Sequence, residues 1–276
     1  MGTTKIEYDH FLVEAARSVL LELSRLLSEY QEGIVVVGGS VPSLLFDQEK
    51  QEHIGTIDVD LALDHNSIQE IGYRSIMELL LKRGYRQSDH PYTFFRSVTI
   101  NSKEIKVEVD FLAPEYGGTG KKHRTQKVQD MHPRKARGCD LVFLNPVKVM
   151  LEGTLPGGGK DRGMVRVSSI VPFIIMKSQA LNDRLNEKDA YDIYYCLVNY
   201  PDGLDALAEE FHSFLQYPLV LEGLDILAEK YQSPDHVGAV FVTDFLEITD
   251  PEFRSMVQRD AYERVNYLLR KIGIHK

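Results

Sequence analysis

The sequence predicts an α+β fold, with strands concentrated in the first 168 residues and a mainly helical remainder. Three observations predict it. Apolar residues recur at three- and four-residue intervals over 9–31, residues 56–63 alternate with an apolar face and an acidic face, and from about residue 171 the pattern turns mostly helical. The composition shift near residue 168 divides the chain into domains 1–168 and 169–276.

The helix over 9–31 rests on Phe11, Leu12, Ala15, Ala16, Val19, Leu20, Leu23, Leu26, Leu27 and Tyr30, with Asp9 as N-cap and Gly33 as stop. A short buried strand, Ile34–Val37, runs into Gly38-Gly39-Ser40, and Pro42 suits the first turn of a helix at 41–47. In the strand 56–63 (TIDVDLAL), Ile57, Val59, Leu61 and Leu63 face one way and Asp58 and Asp60 the other. A helix near 67–83 follows, then strands at 92–100 and 104–113, the second carrying Glu108 and Asp110 on its polar face. Residues 117–139 read as a long loop, Gly-rich and then basic. Short strands near 140–144 and 164–168 flank a second Gly-rich loop at 153–163, and one further strand is expected near 239–242.

Composition limits the functions available. The 276 residues are 43% hydrophobic and 26% charged, an ordinary globular balance. No apolar run reaches the roughly 18–20 residues a membrane span needs, and the N-terminus lacks a secretory pattern. Ile6 stands where a myristoylation motif needs Ser or Thr. The two cysteines, Cys139 and Cys196, are far apart, which disfavours a disulfide framework or thiolate zinc site and makes the cytoplasm the expected location. A net charge of −9 argues against indiscriminate nucleic-acid coating. Lys121, Lys122, His123, Arg124, Lys127, Arg134, Lys135 and Arg137 nevertheless make one local basic cluster, either an RNA-backbone contact or a solvated loop.

The acidic residues carry the chemistry. Carboxylates at i and i+2 of a strand project from one face and can share metal ions, and Asp58 and Asp60 have that spacing. If strand 104–113 lies beside them, as an antiparallel neighbour, it adds a third acid, and acids so close repel one another without a cation. Gly38 and Gly39 let backbone approach a phosphate, and Ser40 offers a hydroxyl. Taken singly, a Gly-Gly-Ser turn is ordinarily only a turn, and a DxD strand only a solvated face.

A second group is Lys177, Arg184, Lys188 and Asp192, which share one stripe if the segment is a single helix. These cations either grip a polyphosphate or pair with acids along an exposed helix, and Asn186 makes the single helix conditional. Tyr191, Tyr194 and Tyr195 are expected to pack a helical core. The segment 153–161 (GTLPGGGKD) is not a P-loop, because Thr154 and Asp161 occupy positions that need Gly and Ser or Thr.

In this order (strand, Gly-Gly-Ser, helix, DxD strand, later strand acid, then K-x-x-A-L-x-x-R and K-D-x-x-D) the chain resembles the nucleotidyltransferases of the AbiEii/AbiGii toxin type, in the polymerase-beta-like superfamily. The resemblance covers residues from about 34 to 197, with a long gap from Ser40 to Asp58. It implies a catalytic domain with a mixed sheet followed by a helical domain. It further implies Mg²⁺ (or Mn²⁺) held by Asp58, Asp60 and Asp110, with Glu108 the alternative third acid. Nucleotide contacts would come from Gly38, Gly39, Ser40, Lys177, Arg184 and Lys188, with Lys177 counted as catalytic. An NTP would be the substrate, RNA such as tRNA or a protein the acceptor, and an antitoxin protein a partner in a toxin–antitoxin or abortive-infection system. Two further readings stay open: a small-molecule nucleotidyltransferase of the antibiotic-modifying kind, and a non-catalytic nucleotide-binding module.

Overall fold

The computed structural model describes residues 4–46, 52–68, 75–115 and 127–274. The expected antiparallel neighbour of the DxD strand is in fact parallel, and that pairing organises the sheet. Helix α1 (His10–Leu26) starts where Asp9 accepts a hydrogen bond from Phe11 N–H, then gives way to a 3₁₀ segment, Ser28–Gly33. Strand β1 (Ile34–Val37), helix α2 (Ser40–Leu45) and strand β2 (Asp58–Leu63) follow. Next come α3 (Ile76–Arg83), β3 (Arg86–Gln87), β4 (Thr93–Ile100), β5 (Lys103–Pro114) and β6 (Arg134–Ala136). A hairpin of β7 (Val147–Thr154) and β8 (Lys160–Val167) ends this part.

Among the described residues these strands form one mixed sheet in the order β3-β4-β5-β2-β1-β8-β7, with β6 beside β5. β1–β2, β3–β4, β4–β5 and β7–β8 are antiparallel; β1–β8, β2–β5 and β5–β6 are parallel. Helix α1 packs across β2, β4, β5, β7 and β8, covering the face that carries Val36, Val59, Leu61, Val109 and Phe111. Glu22 is buried on α1 and held by Arg83 (2.6 Å) and Arg96 (2.8 Å), so the charge taken from water is compensated where it lies. Short α2 packs on β1, β7 and β8.

The helical part comprises α4 (Ile170–Arg184), α5 (Glu187–Asn199), α6 (Gly203–His212), α7 (Pro218–Lys230), α8 (Val237–Phe245) and α9 (Pro251–Ile272). α4 packs on α5 and α7, α5 on α8, and α9 on α6 and α8. No helix among the described residues is long and apolar enough to cross a membrane. The chain divides into two compact units: Tyr8–Leu45 with Gly55–Ser169, and Met1–Glu7 with Phe46–Ile54 and Ile170–Lys276. Residues 46–54, counted with the first domain in the sequence reading, thus group with the helices.

Several local expectations are corrected. Residues 139–143 form a 3₁₀ helix rather than a strand, entered through Gly138 at φ +82°. The region expected as a loop over 153–163 is the tip of the β7–β8 hairpin, closed by Leu155 N–H to Gly159 O (3.0 Å) and Gly158 N–H to Leu155 O (2.8 Å). The apolar run at 239–242 lies within α8, not in a strand.

Candidate functional site

The acidic face is built by strand register. Parallel pairing sets Asp58 opposite Glu108 and Asp60 opposite Asp110, and residues paired in this way project from the same face of a sheet. Antiparallel pairing adds Val37 beside Asp60 on one flank and Thr93 beside Asp110 on the other. All four acids therefore lie on the side away from α1. The face is solvated only in part: Asp60 is 8% exposed beside buried Val35, Val37 and Ala62, Asp58 and Asp110 are half-buried, and Glu108 is exposed.

The Gly-Gly-Ser turn meets these acids. β1 ends at Val37, opposite Asp60, so the turn emerges beside the start of β2. Gly38 has φ +68°, and a Cβ built on it would lie 1.8 Å from Asp60 Oδ2. Only glycine combines that backbone with that approach. Ser40 is buried as the first residue of α2, and its carbonyl accepts from the Ser43 hydroxyl at 2.9 Å.

Each outer acid is engaged by a threonine that the sequence reading did not single out. Thr56 donates to Asp58, and Thr93 donates to Asp110 at 2.5 Å. The register that places Thr93 is a tertiary pairing with no local signature. Burial raises the Asp110 pKa, the Asp58 charge adds to it, and Thr93 and Arg134 oppose it. Burial also raises that of Glu108, helped by the charges of Asp110 and Asp58. Among the described residues no three His, Cys, Asp or Glu side chains converge closely enough to enclose a metal ion. By donor chemistry the acids fit a hard cation such as Mg²⁺, since their oxygens are carboxylates projecting from one face of two hydrogen-bonded strands.

The cations expected to hold a polyphosphate are paired with aspartates of the helical unit. α4 stops at Arg184, Leu185 takes φ +49°, and Asn186 caps α5 by accepting from Lys188 N–H at 3.0 Å. Two helices replace the single stripe. Lys177 is buried between Asp189 (2.9 Å) and Asp192 (2.7 Å), Arg184 reaches Asp189 at 2.7 Å, and Lys188 pairs with Asp192. His53 joins the same cluster, 3.0 Å from Asp192 and stacked on Tyr191. Burial and the nearby lysine charges lower His53 to about 4, against the pull of Asp192. Lys177 and Lys188 hold Asp192 well below the usual carboxylate range despite its burial. Tyr191 and Tyr195 are buried in the helical core, while Tyr194 donates to Asp260 at 2.7 Å.

Of the basic stretch, Lys121, Lys122, His123 and Arg124 lie outside the described residues. Arg134 and Lys135 form β6 beside the end of β5, and Arg137 pairs with Glu115 at 2.9 Å.

Comparison of the chain with protein-family models, curated proteins and solved structures found no match.

Proposed function

We propose that this chain is a Mg²⁺-dependent nucleotidyltransferase, moving a nucleotidyl group from an NTP to an acceptor. The observation that supports it most is the Gly38–Asp60 contact, which joins a close-approach turn to four carboxylates on one sheet face. Phosphoryl-type transfer asks little covalent chemistry of a protein and much positioning and charge compensation. A carboxylate-rich face beside a half-buried glycine turn is suited to both.

In this reading Asp58, Asp60 and Asp110 would hold the cation, their side chains drawing together as it binds. Bound there, Mg²⁺ supplies charge neutralisation and Lewis-acid polarisation of phosphate oxygens. The turn at Gly38–Ser40 lets backbone lie against the nucleotide phosphates. Asp110 is preferred over Glu108 as third acid because it pairs directly with Asp60 and is the less exposed of the two. Lys177, Arg184 and Lys188 are left out of the nucleotide contacts, since buried aspartates already compensate them.

The resemblance to AbiEii/AbiGii-type toxins supports RNA or protein as acceptor and an antitoxin as partner. Incubating the protein with α-labelled NTPs and Mg²⁺, with total RNA, total protein or small hydroxylated antibiotics as acceptors, separates the readings. Label transferred to RNA or protein supports the proposal, and label found only on a small molecule moves the acceptor to that class. No transfer with any NTP, together with retained nucleotide binding, replaces it with a non-catalytic binding module.

A further inference from the structure

One half-buried cation beside the acidic face, Arg134, makes no ion pair among the described residues. β2 pairs with β5 as far as Leu112, so β6, which pairs Arg134 with Leu112, occupies the opposite flank of β5. That is the flank of β4, which begins at Thr93 opposite Asp110. Leu112 lies two residues beyond Asp110, so Arg134 projects from the same face as Asp58, Asp60 and Asp110.

The side chain is fixed in place. Tyr92 accepts from Phe111 N–H through its carbonyl (2.9 Å) and presents its ring to the Arg134 guanidinium, 5.8 Å from centroid to Cζ. His90 stacks on the same ring at 5.5 Å, nearly parallel. A guanidinium on an aromatic face keeps its edge N–H groups free to hydrogen-bond. Here Nε is buried without a hydrogen-bond partner, and among the described residues Arg134 makes no ion pair. An unsatisfied buried donor on a charged group is costly, and a ligand oxygen would satisfy it.

We infer that Arg134 grips the polyphosphate of the ligand at the acidic face, with Tyr92 as the residue that positions its guanidinium. The inference rests on the proposed reading for the identity of the polyphosphate. It assigns to Arg134 the task that the sequence assigned to Lys177, on the ground that Lys177 is compensated by Asp189 and Asp192 and Arg134 by nothing comparable.

The test is calorimetric titration of the full chain with inorganic tripolyphosphate in Mg²⁺, for wild type, Arg134→Ala, Arg134→Lys and Arg137→Ala. Thermal melts establish that each variant is folded. Arg134→Ala is expected to weaken binding at least about tenfold, the loss of a charge-assisted contact. Arg134→Lys recovers part of it, and Arg137→Ala, already paired with Glu115, leaves it unchanged. Wild-type affinity in folded Arg134→Ala, or no tripolyphosphate binding by wild type, overturns the inference. A transfer assay run beside it keeps the two claims apart. Tripolyphosphate binding that depends on Arg134 without any nucleotide transfer sinks the transferase reading alone. Transfer with an unaltered KM for NTP in Arg134→Ala sinks the inference alone.

Discussion

Gly38 and Asp60 approach so closely that a methyl group on the glycine would occupy the position of the carboxylate oxygen, 1.8 Å from Oδ2. The turn and the acid therefore form one unit, and a change at either moves both. Gly38→Ala meets a left-handed backbone strain of about 1–3 kcal/mol and must also displace Asp60. Thermal denaturation is expected to show that loss of stability, and a Mg²⁺ titration of activity to show weaker metal binding, with more Mg²⁺ needed for half-maximal activity. Unaltered Mg²⁺ dependence in folded Gly38→Ala would separate the turn from the metal site.

The lysine cluster makes a different demand. Lys177→Met keeps the aliphatic bulk but leaves Asp189 and Asp192 buried with less compensation. Removing one partner of a buried ion pair costs about 3–5 kcal/mol, and urea unfolding should register a loss on that scale. A variant of wild-type stability that no longer binds nucleotide would instead place Lys177 on the substrate.

His53 gives the helical unit a pH dependence of definite sign. Its folded value of about 4 lies below the ordinary 6.5, so the unfolded chain takes up the proton first as pH falls. The neutral histidine costs nothing above pH 6.5, and stability declines between about 6.5 and 4 by on the order of 3 kcal/mol. Asp192 and Asp189, held low, lose their stabilising contribution only at more acidic pH. Glu108 and Asp110, held high, work in the opposite sense. Comparing wild type with His53→Gln by urea unfolding at several pH values isolates the histidine. The variant should show a flatter profile in that window, and identical profiles would remove His53 from the account.

Much of the sheet unit was legible because its signals are local. The alternation over 56–63 places Asp58 and Asp60 on one face whatever the neighbouring strand does, and Asp9 caps α1 as its position suggests. Strand direction was not legible. The chain passes through α3, β3 and β4 before β5 returns parallel to β2, and nothing in 104–113 encodes that crossover. Short apolar runs failed for a related reason: residues 140–144 and 239–242 suit either a strand or a buried helical turn, and packing decided for helix. The strand expected near 164–168 is the second half of β8; its first half, 160–163, was read as loop because Lys160, Asp161 and Arg162 mask the strand pattern. The fate of Lys177 turned on two residues. Leu185 and Asn186 end one helix and start another, which turns Asp189 and Asp192 toward the lysine instead of along a shared stripe.

The most direct test of the central claim is nucleotidyl transfer by Asp58→Ala and Asp60→Ala, measured with α-labelled NTP at saturating Mg²⁺ on variants shown by thermal melt to be folded. Neither residue belongs to the apolar layer under α1, and each removes charge from a face where carboxylates repel, so both variants should fold. The expected result is loss of transfer in both. Full activity in either folded variant would contradict the assignment of this acidic face as the catalytic centre.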